Sequence, residues 1–208
     1  MVNQVGGYGE MGIYNAVVRI KIIPDAVLVM LVAPIIPILS DSFGRSDQNT
    51  YRKTLRYYLL VSTIIIVPVS LVQTAAPVLT LLPYGPQYQS HHAIVIWLML
   101  HSVLSSFCAS VGYIFVTMGR MWLVWFLGFS FAVCYSGLSY WLVPKYGADG
   151  YAASMAIAYG VSSVPGVVLL YYKFPEIMRE MRWGITAVLS LGLFLTCLLA
   201  DYWIPFAY

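Results

Sequence analysis

MWLVWFLGFSFAVCYSGLSYWLV (residues 121–143), PKYGAD (144–149) and GYAASMAIAYGVSSVPGVVLLYY (150–172) decide the fold class. Neither long run contains an Asp, Glu, Lys or Arg, and each exceeds the roughly 20 residues that a helix needs to cross the hydrocarbon of a bilayer. The hexapeptide between them holds Lys145, Asp149 and a Pro/Gly pair, the residues of a turn. Working outward, charge is also absent from Tyr57 to Gly119 and from Trp183 to Ala200. A transmembrane barrel would alternate polar and apolar residues over about ten positions. These runs are continuously apolar, so the reading is all-α: a polytopic membrane bundle of about six helices, forming one membrane domain over 1–208.

Composition agrees. Charged residues make up 9% of the chain and hydrophobic ones 61%, against roughly 25% charged in a soluble domain. A soluble core of this size would run out of polar surface to cover it. The six spans are expected at about 12–40, 55–82, 93–118, 121–143, 150–172 and 183–204. Residues 1–11 (MVNQVGGYGEM) have neither a basic region nor an apolar core, so they read as an outer loop of a longer protein rather than a signal peptide. Prolines 24, 34 and 37 in the first span, and 68 and 77 in the second, are expected to kink them.

Loop charge sets orientation. The loop at 41–54 and its flank carry Arg45, Arg52, Lys53 and Arg56, the turn at 119–120 carries Arg120, and the loop after 172 carries Lys173, Arg179 and Arg182. The opposite loops carry only Lys145. The positive-inside rule then places the first set in the cytoplasm of a cell membrane. The net charge of +3 is accounted for by these loops and calls for no nucleic-acid partner.

Ionisable groups inside a span are costly and mark function. The first span carries Arg19, Lys21 and Asp25. Lys21 and Asp25, four apart, share a face and suit a salt bridge. Arg19 lies about 200° of turn from Lys21. Both cations either attract a pyrophosphate or acidic sugar, or snorkel to the outer surface. Span three holds His101, followed on one face by Ser105, Cys108 and Gly112, with Ser102, Ser106 and Ser110 as an adjacent stripe. Close helix packing explains such stripes, while His101 can instead line a cavity as a proton-responsive group. Gln73 in span two is open to the same two readings. The eight carboxylates form no paired acid–base site, and no nucleophile elbow, P-loop or metal motif is present. No enzymatic activity, ATP, metal or other cofactor is therefore expected, and Cys108, Cys134 and Cys197 read as buried structural thiols.

GIYNAVVRIKIIPD (12–25) and VAPIIPILSDSFGR (32–45) resemble a helix and loop in the second half of polysaccharide-exporting flippases, relatives of the multidrug and toxin extruders. LTLLPYGPQY (79–88) and LVPKYGADGYAAS (142–154) are similar to later turns of the same family, in the same order. The resemblance implies one lobe of a two-lobed transporter. It implies alternating access for a polyprenyl-pyrophosphate-linked oligosaccharide, with a missing first lobe or a partner chain completing the cavity; the alternatives are a cation-coupled multidrug exporter of the same superfamily, or a non-transporting membrane scaffold or truncated half-protein.

Overall fold

The computed structural model describes residues 7–75, 92–173, 175 and 179. The expected sixth span, the turn at 82–85 and the family-like stretch 79–88 lie outside the described residues. Within them the chain is all-helical. Helix α1 spans Gly7–Gly44, α2 Gln48–Ala75 and α3 His92–Thr117. The run Met121–Lys173 is interrupted by non-helical backbone at Gly147 and divides into α4 (121–146) and α5 (148–173).

The described residues thus give five helices, not six spans. Three helical runs are long and apolar enough to cross a membrane, Gln48–Gln73, Ala93–Thr117 and the 52-residue Met121–Tyr172, and α1 adds the shorter apolar segment Val32–Gly44. These make the chain a multi-pass membrane protein. The fourth and fifth expected spans are joined by a turn tighter than the expected hexapeptide. The helix continues through Pro144 and Lys145, whose Nζ sits 4.0 Å from the centre of the Trp141 ring, and only Gly147 leaves helical geometry.

That one residue reverses the chain. Gly147 has φ 57° and ψ −128°, the first central position of a type II′ turn, which a residue with a Cβ avoids. Beyond it the arms run antiparallel. Ser139 and Ser154 share a hydroxyl hydrogen bond at 2.9 Å, the Tyr135 and Tyr151 rings lie 5.6 Å apart and those of Phe131 and Tyr159 4.2 Å apart. Gly150 lets the returning helix of the hairpin pass close, since a Cβ there would stand 2.5 Å from the Leu142 carbonyl oxygen.

At the other end the expected cytoplasmic loop 41–54 shrinks to Arg45–Asp47, because capping leaves nothing for a longer loop to satisfy. Ser46 takes φ 58°. The Ser46 N–H donates to Phe43 O at 3.1 Å and the Asp47 N–H to Ser42 O at 2.9 Å, the double bond of a Schellman end. Asp47 then caps α2, accepting from the Thr50 N–H at 3.1 Å. Hydrogen bonds from Thr50, side chain first, hold the Asp47 carboxyl below the usual carboxylate range. The cap is therefore fully present above about pH 4 and is lost as pH falls through that lowered value. The α3–α4 corner repeats the device at Gly119, φ 70°, with Gly119 N–H to Val116 O and Arg120 N–H to Phe115 O both at 2.9 Å. Tyr51 and Thr117 hydroxyls meet at 3.2 Å, so the two corners and their arginines share one end. The expected outer loop 1–11 is likewise shortened, since α1 already begins at Gly7.

Packing follows membrane rules, in which lipid supplies no hydrophobic drive between helices and close fit must do so. Leu39, Leu55, Ile114, Phe115 and Leu170 form a fully buried cluster toward the basic end, while Val17, Ile94, Leu98, Met99 and Ala152 form another toward the far end. Gly166 permits a close approach between helices, its absent Cβ falling 2.9 Å from Val111 Cγ1 and 3.3 Å from Leu127 Cδ1. Helix α1 continues unbroken through Pro24, Pro34 and Pro37, and α2 through Pro68.

Gly147→Ala should lower stability by about 1–3 kcal/mol through backbone strain. Gly150→Ala should cost more, because its methyl meets backbone rather than a movable side chain. Melting curves of the purified protein in detergent check both, and unchanged melting for either would contradict the hairpin geometry.

Candidate functional site

The N-terminal half of α1 sorts its three charges by face. Lys21 Nζ donates to Asp25 Oδ2, one helical turn on. The side chains are 12% and 34% exposed, so the pair is anchored in the protein yet open on its acidic side. Arg19 is exposed on a different face and is not part of this pair. The i, i+2, i+6 spacing dictates this split, since two residues turn a helix about 200° and four turn it about 400°.

Facing the pair is His101 of α3, 4% exposed. Neither ring nitrogen has a hydrogen-bond partner, and the ring stands edge-on to Tyr159 of α5 at 4.7 Å. Lys21 is near enough for its charge to act on His101, and Asp25 near enough to act on Tyr159. Three helices therefore bring a cation, a carboxylate, an imidazole and a phenol into one neighbourhood. A buried imidazole with both nitrogens unused is a costly thing to hold, and such a group is ready to bind whatever enters beside it. Gln73 lies near the far end of α2, its Oε1 buried without a hydrogen-bond partner.

The two stripes of span three serve different neighbours. Ser110 donates to Ser106 O at 2.9 Å and meets the Tyr58 hydroxyl at 3.2 Å, so that stripe faces α2. Ser105, Cys108 and Gly112 face α4 and α5 across an open cavity. Cys108 and Cys134 are half-buried free thiols, and Cys108 lines that cavity instead of filling a core; Cys197 lies outside the described residues.

Sequence reading missed the aromatic series that leads to the site. Tyr14 stands edge-on to Tyr151 at 4.8 Å, Tyr151 to Tyr135 at 5.6 Å, and Phe131, stacked on Tyr135 at 5.6 Å, reaches Tyr159. The Tyr14 hydroxyl also contacts Met155 Sδ at 3.2 Å. The signal was present as Phe131/Tyr135 four apart and Tyr151/Tyr159 eight apart, each a same-face spacing. The fold-back at Gly147 that brings the two sets together was not visible in the spacing itself.

Comparison with protein-family profiles, with curated proteins and with solved structures finds no match.

Removing one partner of the α1 pair leaves the other charge stranded. Asp25→Ala should destabilise by on the order of 2–3 kcal/mol, below the about 3–5 kcal/mol of a fully buried pair because Asp25 keeps 34% exposure. Adding Lys21→Ala should restore part of that loss. A double variant worse by the sum of the two singles in denaturant or thermal unfolding would show that the pair is not coupled.

Proposed function

We propose that this chain is the substrate-handling part of a membrane transporter that moves a polyprenyl-pyrophosphate-linked oligosaccharide across the cytoplasmic membrane by alternating access, for polysaccharide biosynthesis. The observation that carries this reading is the charge pattern of outer α1. Two cations, Arg19 and Lys21, stand against one carboxylate, and Asp25 satisfies only Lys21. Arg19 is left exposed on a separate face. A guanidinium held there can take a pyrophosphate through two parallel hydrogen bonds. The order of four family-like sequence stretches supports the same reading, as does the five-helix up-and-down bundle, which gives a rigid body able to rock against a first lobe or partner chain. The unpartnered His101 beside Lys21 and Asp25 offers a second polar contact at similar depth.

A cation-coupled multidrug exporter is the second reading, and Asp25 favours it as a carboxylate partly open at membrane depth. The two differ in what Arg19 does, since an exporter of cationic drugs gains nothing from a fixed positive charge.

In cells that make the glycan, Arg19→Ala should abolish surface glycan while protein abundance in the membrane stays normal. Arg19→Lys should retain part of the activity, because it keeps the charge and loses the planar fork. Normal glycan in both variants would assign Arg19 to lipid headgroups and overturn this reading, and loss of the protein itself would make the residue structural.

A further inference from the structure

A cavity of about 280 Å³ lies between α3, α4 and α5, and Tyr159, whose ring meets His101, forms part of its wall. It sits toward the basic end. Cys108 is nine residues from the end of α3 at Thr117, and Gly128 seven from the start of α4 at Met121. That places it about 10–14 Å inside the helix ends, a depth at which the surroundings are hydrocarbon. Gly128 is exposed, and a Cβ built there would meet nothing within 4 Å. The cavity therefore opens sideways on the α4 face that also presents exposed Trp125 and Phe129. A void of about 150 Å³ holds one benzene, so this one accommodates roughly ten to twelve carbon atoms.

The serines and the thiol of the wall have a definite hydrogen-bonding sense. Ser105 Oγ donates to Ser102 O at 3.0 Å, Ser162 Oγ to Tyr159 O at 3.3 Å, and Ser163 Oγ to Gly160 O at 2.7 Å. Cys108 Sγ donates across to Tyr159 O at 3.4 Å. Each proton is spent on a helix carbonyl, which leaves the oxygen lone pairs as what these groups offer to a guest. Tyr113 and Tyr159 also line the cavity, the remaining lining is apolar, with the ring of Phe131 among it, and among the described residues no carboxylate lines it to neutralise a cation.

We propose that this cavity is a binding site for a neutral amphiphile that enters from the bilayer. The ligand has a hydrocarbon body of about ten carbons and one hydrogen-bond donor, the chemistry of a membrane-dissolved alcohol. The donor meets the serine oxygens, and the body fills the gap left by Gly112 and Gly128. This site is independent of the Arg19 reading and stands whether or not that reading holds.

The test uses the purified chain in detergent micelles with Cys134→Ser and Cys197→Ser, so that Cys108 alone reports. Decan-1-ol should slow alkylation of Cys108 by N-ethylmaleimide in a saturable way. Methyl decyl ether, which has lost the donor, should require about fivefold more for the same protection, the worth of one net hydrogen bond. Protonated decylamine should protect less well than the alcohol. Gly128→Leu fills the opening without a clash at its Cβ, so the variant should fold and lose the rise in melting temperature that decan-1-ol gives the parent. Equal potency of alcohol and ether would overturn the proposal. So would protection that never saturates, or a Gly128→Leu variant that keeps the full alcohol-induced rise.

Discussion

Inside hydrocarbon there is no water to take up a polar group that the chain leaves unpaired, and the rest of the structure answers to that constraint. Helices satisfy their own backbone. The hydroxyls of Ser42, Ser62, Ser105, Ser110 and Ser163 each return to a carbonyl three or four residues back. Lys21 and Asp25 neutralise one another within a single helix, which lets α1 carry both charges in its N-terminal half without a partner from elsewhere. At the basic end the corners at Ser46 and Gly119 close the free carbonyls of α1 and α3 with the same pair of bonds, and Asp47 closes the free amides of α2. Loops can then be three residues long, and the arginines stay at the surface where the membrane tolerates them.

Against that background the departures carry the meaning. His101 keeps two ring nitrogens without partners although it is almost wholly buried. The cavity between α3, α4 and α5 is kept open by glycines and ringed by serines whose donors are already used. Binding is what such departures are good for. The charged stretch of α1 and the sideways cavity also differ in chemistry: the first holds two cations and a carboxylate, the second serines and apolar side chains.

The helical membrane class and the basic end were legible because composition and loop charge report them directly. The Lys21–Asp25 pair was legible because its spacing fixes a shared face whatever the tertiary fold. Other features were not. The corner at 45–47 was read as part of a long loop because Arg52, Lys53 and Arg56 are charged, yet charge says where a residue sits relative to the membrane and not whether its backbone is helical. Pro144 and Lys145 suggested that a turn begins there, whereas the helix tolerates both and waits for Gly147. Cys108 looked like core filling because its neighbours are apolar, and only the packing of three helices shows that it borders open space. Tertiary proximity is the common element in what was missed.

The claim on which the whole arrangement rests is that the 52-residue apolar run Met121–Tyr172 doubles back at Gly147. Cysteines placed at Ser139 and Ser154, with Cys108, Cys134 and Cys197 replaced by serine, test it most directly through the free-thiol count after mild oxidation in the membrane. In the hairpin these side chains touch, their oxygens 2.9 Å apart, so both thiols should disappear together into one intramolecular disulfide. A continuous straight helix would hold the two positions about 22 Å apart, and two thiols that stay free would contradict the fold.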